Sequence, residues 1–527
     1  MTTGPVPLGE APNDSFQRAM ASLTGSQRHA VDATRPSLCI VAGAGSGKTR
    51  VLTLRVARRI RDGSADADHT VVCTFTRKAA HELQGRLRLY GVPVSTPAIA
   101  GGAPGPGVRA GTLHQLAFTL LRRRALDTGQ AAPVVAEHRF SMIKTLVGDS
   151  VTASAIDAEV GWAKARCLTP ESYEEAARGA GRPAVVSVEQ VLDTFSAYEQ
   201  ALARRRSLDL DDVLVRSADL ILGDADFAQR MHWRYRHLSV DEFQDVNPAQ
   251  FRLIQALLGS RDDLCAVGDP NQAIYGWNGA DPGLLNRLPE VMVGMEVVRL
   301  DENHRSTPQV VSAAAAALGS RVTVPPRSVA PEGPLPVVTA YEDDRAEAQG
   351  VASLLLDRSE DGLPWSEQAV LARTHDQLSV VRRALTRAGI PHRIAPGPES
   401  PAGDSRSRGV GSDDAVELAT FHRAKGLEWT SVCVVGLEDG FVPIIYAESA
   451  EARDEERRLL YVALTRAGLD LHCSWARNRT MAYGRTVERQ PSPWLAAVAR
   501  VSRSGLGRVT PKEAGRRIAE IRAGLAT

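Results

Sequence analysis

Short apolar runs followed by stretches with helical periodicity occur in both halves of the chain. Residues 38–41 predict a buried strand, after which Leu52, Val56 and Ile60 recur at helical spacing. In the second half, the runs "QAVLART", "SVCVVGL" and "LDLHCSWA" predict strands, and "SVVRRALTRAG" predicts a helix between the first two. This alternation predicts an α/β protein with two parallel sheets.

One stretch interrupts the pattern. Residues 395–414, "APGPESPAGDSRSRGVGSDD", hold four Gly, three Pro and four Ser, and Val410 is their only branched apolar side chain. Because so little apolar surface is available to offset the entropy of ordering the chain, this composition predicts a flexible linker.

Composition limits the classes of protein that fit. The chain has 527 residues, 43% of them hydrophobic, which suggests roughly two to four domains. The net charge of +1 does not by itself predict a polyanionic partner, although a basic groove balanced by acidic patches would give the same sum. The first residues lack the features of a signal peptide, and no apolar run approaches the ~18 residues that span a bilayer. We therefore expect a soluble, cytoplasmic protein with no membrane partner.

The six cysteines are scattered without a C-x-x-C pair, so the sequence suggests neither a zinc site, nor an iron–sulfur cluster, nor a disulfide framework. Five of them lie in short apolar runs, where we expect small buried core residues.

The chain contains 57 Arg but only six Lys, and Lys48 lies in a Gly-rich turn between a predicted strand and a predicted helix. The turn "AGAGSGKT" fits the phosphate-binding P-loop with Ala42 in place of the first Gly. In a P-loop, backbone N–H groups and a helix N-terminus surround phosphates. Lys48 would reach the β and γ phosphates of a nucleotide, and Thr49 would ligate Mg²⁺. The residues expected to surround the phosphates are Ala42, Gly43, Ala44, Gly45, Ser46 and Gly47.

A second predicted strand ends in two acids. The apolar run around Leu238 and Val240 leads into Asp241 and Glu242, which places both acids at the carboxyl edge of a parallel sheet. Asp241 would hold Mg²⁺, and Glu242 would orient and deprotonate the attacking water. Together with the P-loop, the pair predicts a nucleoside triphosphatase.

Eight segments, one of which contains Asp241 and Glu242, follow one another along the chain. They are "LTGSQRHAV", "CTFTRKAAHEL", "GTLHQLAFTLLR", "VDEFQDVNPAQ", "AVGDPNQAIYGWNGA", "LDENHRST", "LATFHRAKGLEW" and "EERRLLYVALTRA". In this order they resemble the motifs of the UvrD/Rep/PcrA family of superfamily 1A DNA helicases, over about residues 20 to 480. The passage "GWAKARCLTPESYEEAA" is similar to actinobacterial members of that family.

The resemblance implies roles for further residues at an ATP site. Gln27 would read the adenine, Glu428 would touch the ribose and Gln272 would contact the γ-phosphate. Arg305 and Arg466 would contact the γ-phosphate from the second of two RecA-like domains. Because arginine is so common in this chain, only their positions in the motifs distinguish these two from other arginines.

The resemblance also implies a track for single-stranded DNA. Tyr275 and Trp277 stand out, because only 5% of the residues are aromatic and stacking on a base does not depend on its sequence. The other residues that the family pattern places on the track are Phe75, Thr112, His114, Thr420 and His422.

Two positions depart from the family pattern. Asn278 stands where an Arg is usual, which removes a cation from the region that couples ATP to DNA. His304 replaces a Tyr that stacks on adenine opposite an Arg, here Arg50, and an imidazole offers less stacking area. We therefore expect a weaker preference for ATP over other nucleoside triphosphates, which a nucleotide competition assay would measure.

Motif order predicts the domain organisation. The first RecA-like domain would take residues 1–90 and 206–295, with a helical insertion, subdomain 1B, at 91–205. The second would take 296–500, followed by a basic tail at 501–527 that is predicted to end in an amphipathic helix. In the family a large helical module, subdomain 2B, lies between "PHRI" and "LATFHRAKGLEW"; here residues 395–414 take its place, which indicates a deletion.

The resemblance implies an ATP- and Mg²⁺-dependent motor that moves 3′ to 5′ along single-stranded DNA. Such a motor would act on single strands and on junctions of single- and double-stranded DNA, in repair or replication-associated processing on the nucleoid. The alternative is a nucleotide-switched DNA-binding or accessory protein with weak ATPase activity, which Asn278 and His304 make conceivable.

Overall fold

The structure is a computed structural model, and it describes most of the chain. The described residues are 12–95, 105–136, 138–182, 186–321, 326–395, 414–481 and 484–503. They form two compact units. The first unit comprises residues up to 41, 48–270 and 275–299, and the second comprises 42–47, 271–274 and 300 onward.

Strands and helices alternate in parts of the described chain, and four successive helices occupy most of residues 139–205. The strands are β1 (Leu38–Ala42), β2 (Thr70–Thr74), β3 (Arg109–Thr112), β4 (Val134–Val135), β5 (Ser207–Leu208), β6 (His237–Val240), β7 (Leu264–Gly268), β8 (Glu296–Leu300), β9 (Glu302–Asn303), β10 (Arg327–Ser328), β11 (Val337–Asp343), β12 (Gln368–Ala372), β13 (His392–Ile394), β14 (Val416–Thr420), β15 (Trp429–Val434), β16 (Ala467–Thr480) and β17 (Thr486–Glu488).

The helices are α1 (Pro12–Ala21), α2 (Gly25–Asp32), α3 (Lys48–Arg61), α4 (Arg77–Leu89), α5 (Leu113–Asp127), α6 (Arg139–Val147), α7 (Ser150–Ala165), α8 (Pro170–Gly179), α9 (Val188–Arg205), α10 (Leu210–Gly223), α11 (Ala225–Arg234), α12 (Pro248–Leu258), α13 (Leu284–Val291), α14 (Pro308–Leu318), α15 (Asp344–Glu360), α16 (His375–Arg387), α17 (Ala450–Leu464) and α18 (Leu495–Arg503). Of the helices in the described part of the chain, none combines the length and the apolar character that crossing a membrane requires.

The first sheet has six strands in the order β3-β2-β6-β7-β1-β8. The pairs β2–β3, β2–β6, β6–β7 and β1–β7 are parallel. Every residue of β1 and β7 is buried, as expected for inner strands covered on both faces. The predicted strand at 38–41 and the helix after it are therefore confirmed as β1 and α3.

The second sheet has seven strands: β11-β16-β15-β12-β14-β13 in order, with β17 antiparallel to β16. The remaining described pairings in it are parallel. The predicted strands "QAVLART", "SVCVVGL" and "LDLHCSWA" are β12, β15 and part of β16, and the predicted helix between them is α16. The prediction of an α/β protein with two parallel sheets is confirmed.

Helices α6 to α9 form a cluster with its own core. Its buried side chains are Ile143, Ala153, Ile156, Val160, Trp162, Ala163, Tyr173, Ala177, Val191, Phe195, Tyr198 and Leu202. The cluster lies within the range 91–205 predicted for a helical insertion, and β3 in the same range pairs with β2 of the first sheet. Strand β8 (Glu296–Leu300), at the start of the range 296–500 predicted for the second domain, belongs to the first sheet.

The predicted linker falls between two neighbouring strands. Strands β13 and β14 are parallel, with His392 opposite Val416, and residues 396–413 lie outside the described residues. Parallel neighbours need a crossover of about a dozen residues or more, so the short segment is long enough to connect them. Most of the predicted tail, residues 504–527, also lies outside the described residues, although α18 continues to Arg503.

The cysteine prediction is confirmed for the apolar runs. Cys39, Cys73, Cys265, Cys433 and Cys473 are buried in β1, β2, β7, β15 and β16.

Candidate nucleotide and DNA site

The loop between β1 and α3 has the conformation that a P-loop needs. Gly45 and Gly47 have φ of 70° and 79°, in the left-handed region that favours glycine, and α3 begins at Lys48. The Ser46 hydroxyl donates to the Gly43 carbonyl at 2.7 Å, which closes the loop on itself. Lys48 Nζ lies 3.9 Å from Asp269 Oδ2, and Asp269 is almost completely buried.

Thr49 and Asp241 lie side by side. Thr49 Oγ1 donates to Asp241 Oδ2 at 2.9 Å, although the two residues are 192 positions apart. Burial, and then the neighbouring charge of Glu242, raise the pKa of the Asp241 carboxyl to about 7. A hydroxyl beside a buried carboxylate that lacks full charge compensation suits Mg²⁺, a hard cation that prefers oxygen ligands.

Glu242 has an unusual backbone. Its φ of 54° is in the left-handed region, which is uncommon for a residue other than glycine. Gln244 Nε2 donates to Glu242 Oε2, and Gln244 Oε1 accepts from the backbone N–H of Asp269 at 2.9 Å. Gln244 therefore connects Glu242 to Asp269, the partner of Lys48.

Sequence reasoning missed the contribution of Gln244 and Asp269. Both lie inside segments that were recognised as motifs, "VDEFQD" and "AVGDPNQ", and that position was their only signal. Gln244 is completely buried, and a buried amide of this kind is normally held by hydrogen bonds.

In the second unit, the two predicted phosphate-binding arginines have different partners. Arg305 Nε donates to Glu428 Oε2, which pairs it with the acid expected at the ribose. Arg466 is buried, and its Nη2 donates to Gln272 Oε1 at 3.2 Å. The structure thus brings together Arg305 with Glu428 and Arg466 with Gln272.

Asn303 is a further residue that sequence reasoning did not single out. Its Nδ2 donates to the Ala44 carbonyl at 2.8 Å, and its Oδ1 accepts from the backbone N–H groups of Arg305 and Ser306 at 2.9 and 2.8 Å. Asn303 is fully buried. One side chain therefore holds the P-loop backbone and the turn that carries Arg305.

The residues expected near the adenine have other contacts. Gln27 is buried, and its Oε1 accepts from the Thr24 N–H at 3.2 Å in the cap of α2. Arg50 is also buried, and its Nη2 donates to the Ala19 carbonyl at 3.2 Å and to the Ser22 hydroxyl. The His304 N–H donates to the Gly45 carbonyl at 2.9 Å.

Among the residues predicted on the DNA track, two aromatic rings stack. Phe75 and Tyr275 have ring centroids 5.1 Å apart and an interplanar angle of 18°. Trp277, two residues after Tyr275, is 52% exposed. The indole of Trp277 is therefore accessible to solvent, and an accessible aromatic face is what stacking on a base requires.

The other predicted track residues end or follow strands. Thr112 caps α5, its hydroxyl accepting from the Gln115 N–H at 3.2 Å, and Thr420 ends β14. Burial lowers the pKa of His114 to about 4. Burial, helped by the charges of Arg373 and Lys425, lowers the pKa of His422 to about 3. Both imidazoles are therefore neutral near pH 7.

The chain is similar to known proteins over most of its length. Residues 23–292 match the model of the UvrD/REP helicase N-terminal domain, and residues 403–478 match that of the UvrD-like helicase C-terminal domain. The ATP-dependent DNA helicase UvrD2 of Mycobacterium tuberculosis H37Rv is 33% identical over 588 residues, which cover 92% of this chain and 83% of the relative.

For two further relatives, the aligned region covers about half of the relative's length. DNA helicase II of Escherichia coli K12 is 31% identical over 388 residues, 71% of this chain and 51% of the relative. The ATP-dependent DNA helicase PcrA of Leuconostoc citreum is 29% identical over 396 residues, 73% of this chain and 51% of the relative.

Proposed function

The chain belongs to the UvrD/REP helicase family, and we propose that it is an ATP-driven motor that moves 3′ to 5′ along single-stranded DNA. The observation that carries the proposal is the joining of Thr49 to Asp241 beside the P-loop, with Glu242 held by Gln244. ATP and Mg²⁺ are the substrate and metal that this set of residues fits.

In the proposed reaction, Lys48 and the backbone N–H groups of residues 43–47 bind the β and γ phosphates. Thr49 and Asp241 hold Mg²⁺, which when bound offsets phosphate charge. Glu242 orients a water and accepts its proton. Its fixed backbone and its hydrogen bond from Gln244 restrict the positions that its carboxylate can take.

Arg305 and Arg466 would stabilise the charge that develops on the γ-phosphate, an effect worth about 10³–10⁵ in rate in related reactions. Gln272, which accepts from Arg466, would report the state of the phosphate. Gln27, Arg50 and His304 would contact the adenine, and Glu428 the ribose.

The DNA substrate of this proposal is a single strand or its junction with a duplex. Bases would stack on Trp277 and on the Phe75–Tyr275 pair, with Thr112, His114, Thr420 and His422 along the same strand. Because stacking is indifferent to base identity, such a track suits a protein that must move over any sequence. We also propose that the protein acts on the nucleoid, in repair or in replication-associated processing of DNA.

We also propose that the chain lacks a large helical module, subdomain 2B. Members of the family carry it at the position that residues 395–414 occupy here. The alignment with UvrD2 spans 588 positions but takes in only 92% of the 527 residues here, about 485, so about 103 positions of the relative face no residue of this chain. Strands β13 and β14 pair directly, so the sheet itself does not depend on such a module.

Single-stranded DNA should stimulate ATP hydrolysis by the wild-type protein. In Glu242→Gln, which keeps the shape of the side chain but removes the base, turnover should fall by about 100-fold or more while ATP and DNA still bind. Steady-state ATPase assays with and without DNA measure both effects. A wild-type protein that DNA does not stimulate would contradict the motor and favour the nucleotide-switched accessory protein.

Polarity is tested by strand displacement from duplexes with a 3′ tail, a 5′ tail or blunt ends. The proposal expects any displacement to require the 3′ tail. Displacement that requires the 5′ tail would contradict the proposed direction and leave the ATPase chemistry intact.

A further inference from the structure

A short segment links the residue expected to sense the γ-phosphate to the aromatic residues expected to hold DNA. Gln272 lies three positions before Tyr275 and five before Trp277. The intervening Ala273 and Ile274 are buried, so this part of the chain cannot shift without disturbing its packing.

Three cationic side chains bind this segment. Arg466 Nη2 donates to the side chain of Gln272 at 3.2 Å, as described above. Lys425 Nζ donates to the backbone carbonyl of Gln272 at 2.7 Å. Arg458 Nε, from α17, donates to the backbone carbonyl of Ala273, also at 2.7 Å.

The last two contacts fix the backbone rather than a side chain. A peptide unit is planar, so holding its carbonyl oxygen fixes the orientation of the whole unit. Hydrogen bonds from an ionised donor are stronger and shorter than those between neutral groups. Lys425 and Arg458 therefore set the orientation of two successive peptide units that lead directly to Tyr275.

We propose that Arg458 is a positioning residue that couples ATP turnover to DNA binding by holding the Ala273 carbonyl, with Lys425 supporting it at Gln272. The inference rests on the proposed motor function. Arg458 is not among the residues assigned to ATP or to DNA, and it acts through the backbone of the segment between them.

The test compares Arg458→Ala and Arg458→Lys with Arg457→Ala. Arg457 precedes Arg458 on α17, but its Nη1 reaches the Leu318 carbonyl at 3.4 Å and its guanidinium lies 5.0 Å from the centre of the Trp494 ring. Its replacement thus removes an arginine from the same helix and breaks contacts to Leu318 and Trp494, which lie outside the segment. ATP turnover is measured over a titration of oligo(dT), together with Tm.

We expect Arg458→Ala to keep its turnover without DNA within about twofold of wild type and to lose about 90% of the stimulation by DNA. Arg458→Lys, which retains a cationic donor, should recover part of that stimulation, and Arg457→Ala should keep it. This pattern separates coupling from a general loss of stability, which Tm would report in both alanine variants.

Full stimulation in Arg458→Ala would overturn the inference while leaving the motor intact, and so would an equal loss in Arg457→Ala. If turnover without DNA falls in Arg458→Ala as much as turnover with DNA, the residue serves hydrolysis itself and the inference is also overturned. A wild-type protein without stimulation by DNA would overturn both the motor and the coupling.

Discussion

At the scale of single residues, Glu242 differs from the other residues with a left-handed backbone, which follow the ends of helices. Three described residues other than glycine have positive φ: Cys167, Arg206 and Glu242. Cys167 and Arg206 follow the ends of α7 and α9, where a left-handed residue commonly terminates a helix. Glu242 follows a strand instead, and its conformation turns the proposed base out of the line of β6.

Gln244 should be needed for turnover but not for binding of ATP. Gln244→Leu removes the hydrogen bonds to Glu242 and to the Asp269 N–H, so the base loses its orientation while the P-loop remains. We expect kcat to fall at least about 10-fold, or about 1.4 kcal/mol in barrier, with little change in KM for ATP. Steady-state kinetics over a range of ATP concentrations measure the two parameters separately.

Gln250→Leu is the matched control. Gln250 is also buried, but its side chain only accepts from the Asn247 N–H in the cap of α12. It should lower stability without changing kcat. Equal kcat values for Gln244→Leu and the wild-type protein would contradict the role given to Gln244.

At the scale of elements, the apolar runs predict the inner strands well because those strands are buried on both faces. Strand β3, "RAGT", escapes such reasoning, since it has no apolar run and only its pairing with β2 identifies it. The same limit applies to the site. Lys48, Asp241 and Glu242 follow from local pattern, whereas Gln244 and Asn303 act through partners brought close only by the folded sheets.

Lys164, one of only six lysines in the chain, lies in a cluster of acids. Its Nζ lies 2.6, 3.0 and 2.8 Å from carboxylate oxygens of Glu199, Asp209 and Asp212. Burial alone would lower the pKa of Lys164, but the carboxylates outweigh it and raise the pKa above its usual value. The cluster joins α7 and α9 to the start of α10.

Lys164→Met should therefore destabilise the protein by about 3–5 kcal/mol, because it leaves the buried carboxylate of Asp209 and the partly buried ones of Asp212 and Glu199 without their cation. Lys144→Met, at an exposed position on α6, should change stability by less than about 0.5 kcal/mol. Urea unfolding followed by circular dichroism gives both values. Similar stabilities for the two variants would show that the cluster contributes little.

At the scale of the whole molecule, the proposed deletion predicts that the protein moves along single-stranded DNA but opens duplex DNA poorly. If the helical module handles duplex in relatives, its loss should spare the ATP and single-strand sites, whose residues lie elsewhere in the chain. Stimulation of ATP turnover by single strands would then persist while displacement of long duplexes is weak.

Displacement of a fluorescent strand and single-turnover translocation along oligo(dT) measure these two activities on the same preparation. We expect translocation without efficient displacement by monomers at low protein concentration. Robust displacement of long duplexes by monomers would contradict the proposal that the missing module matters for unwinding.

The parallel pairing of β13 with β14 also determines what kind of connection the chain can make between these two strands. Adjacent strands bring the end of one segment and the start of the next within about one strand length of each other, at an interstrand spacing of about 4.8 Å. A chain that leaves Ile394 can therefore return to Val416 through a brief crossover or through an entire folded body, without altering the ladder between the strands. This edge of the sheet is therefore a position at which a module could be inserted or removed without a change in the pairing of the strands.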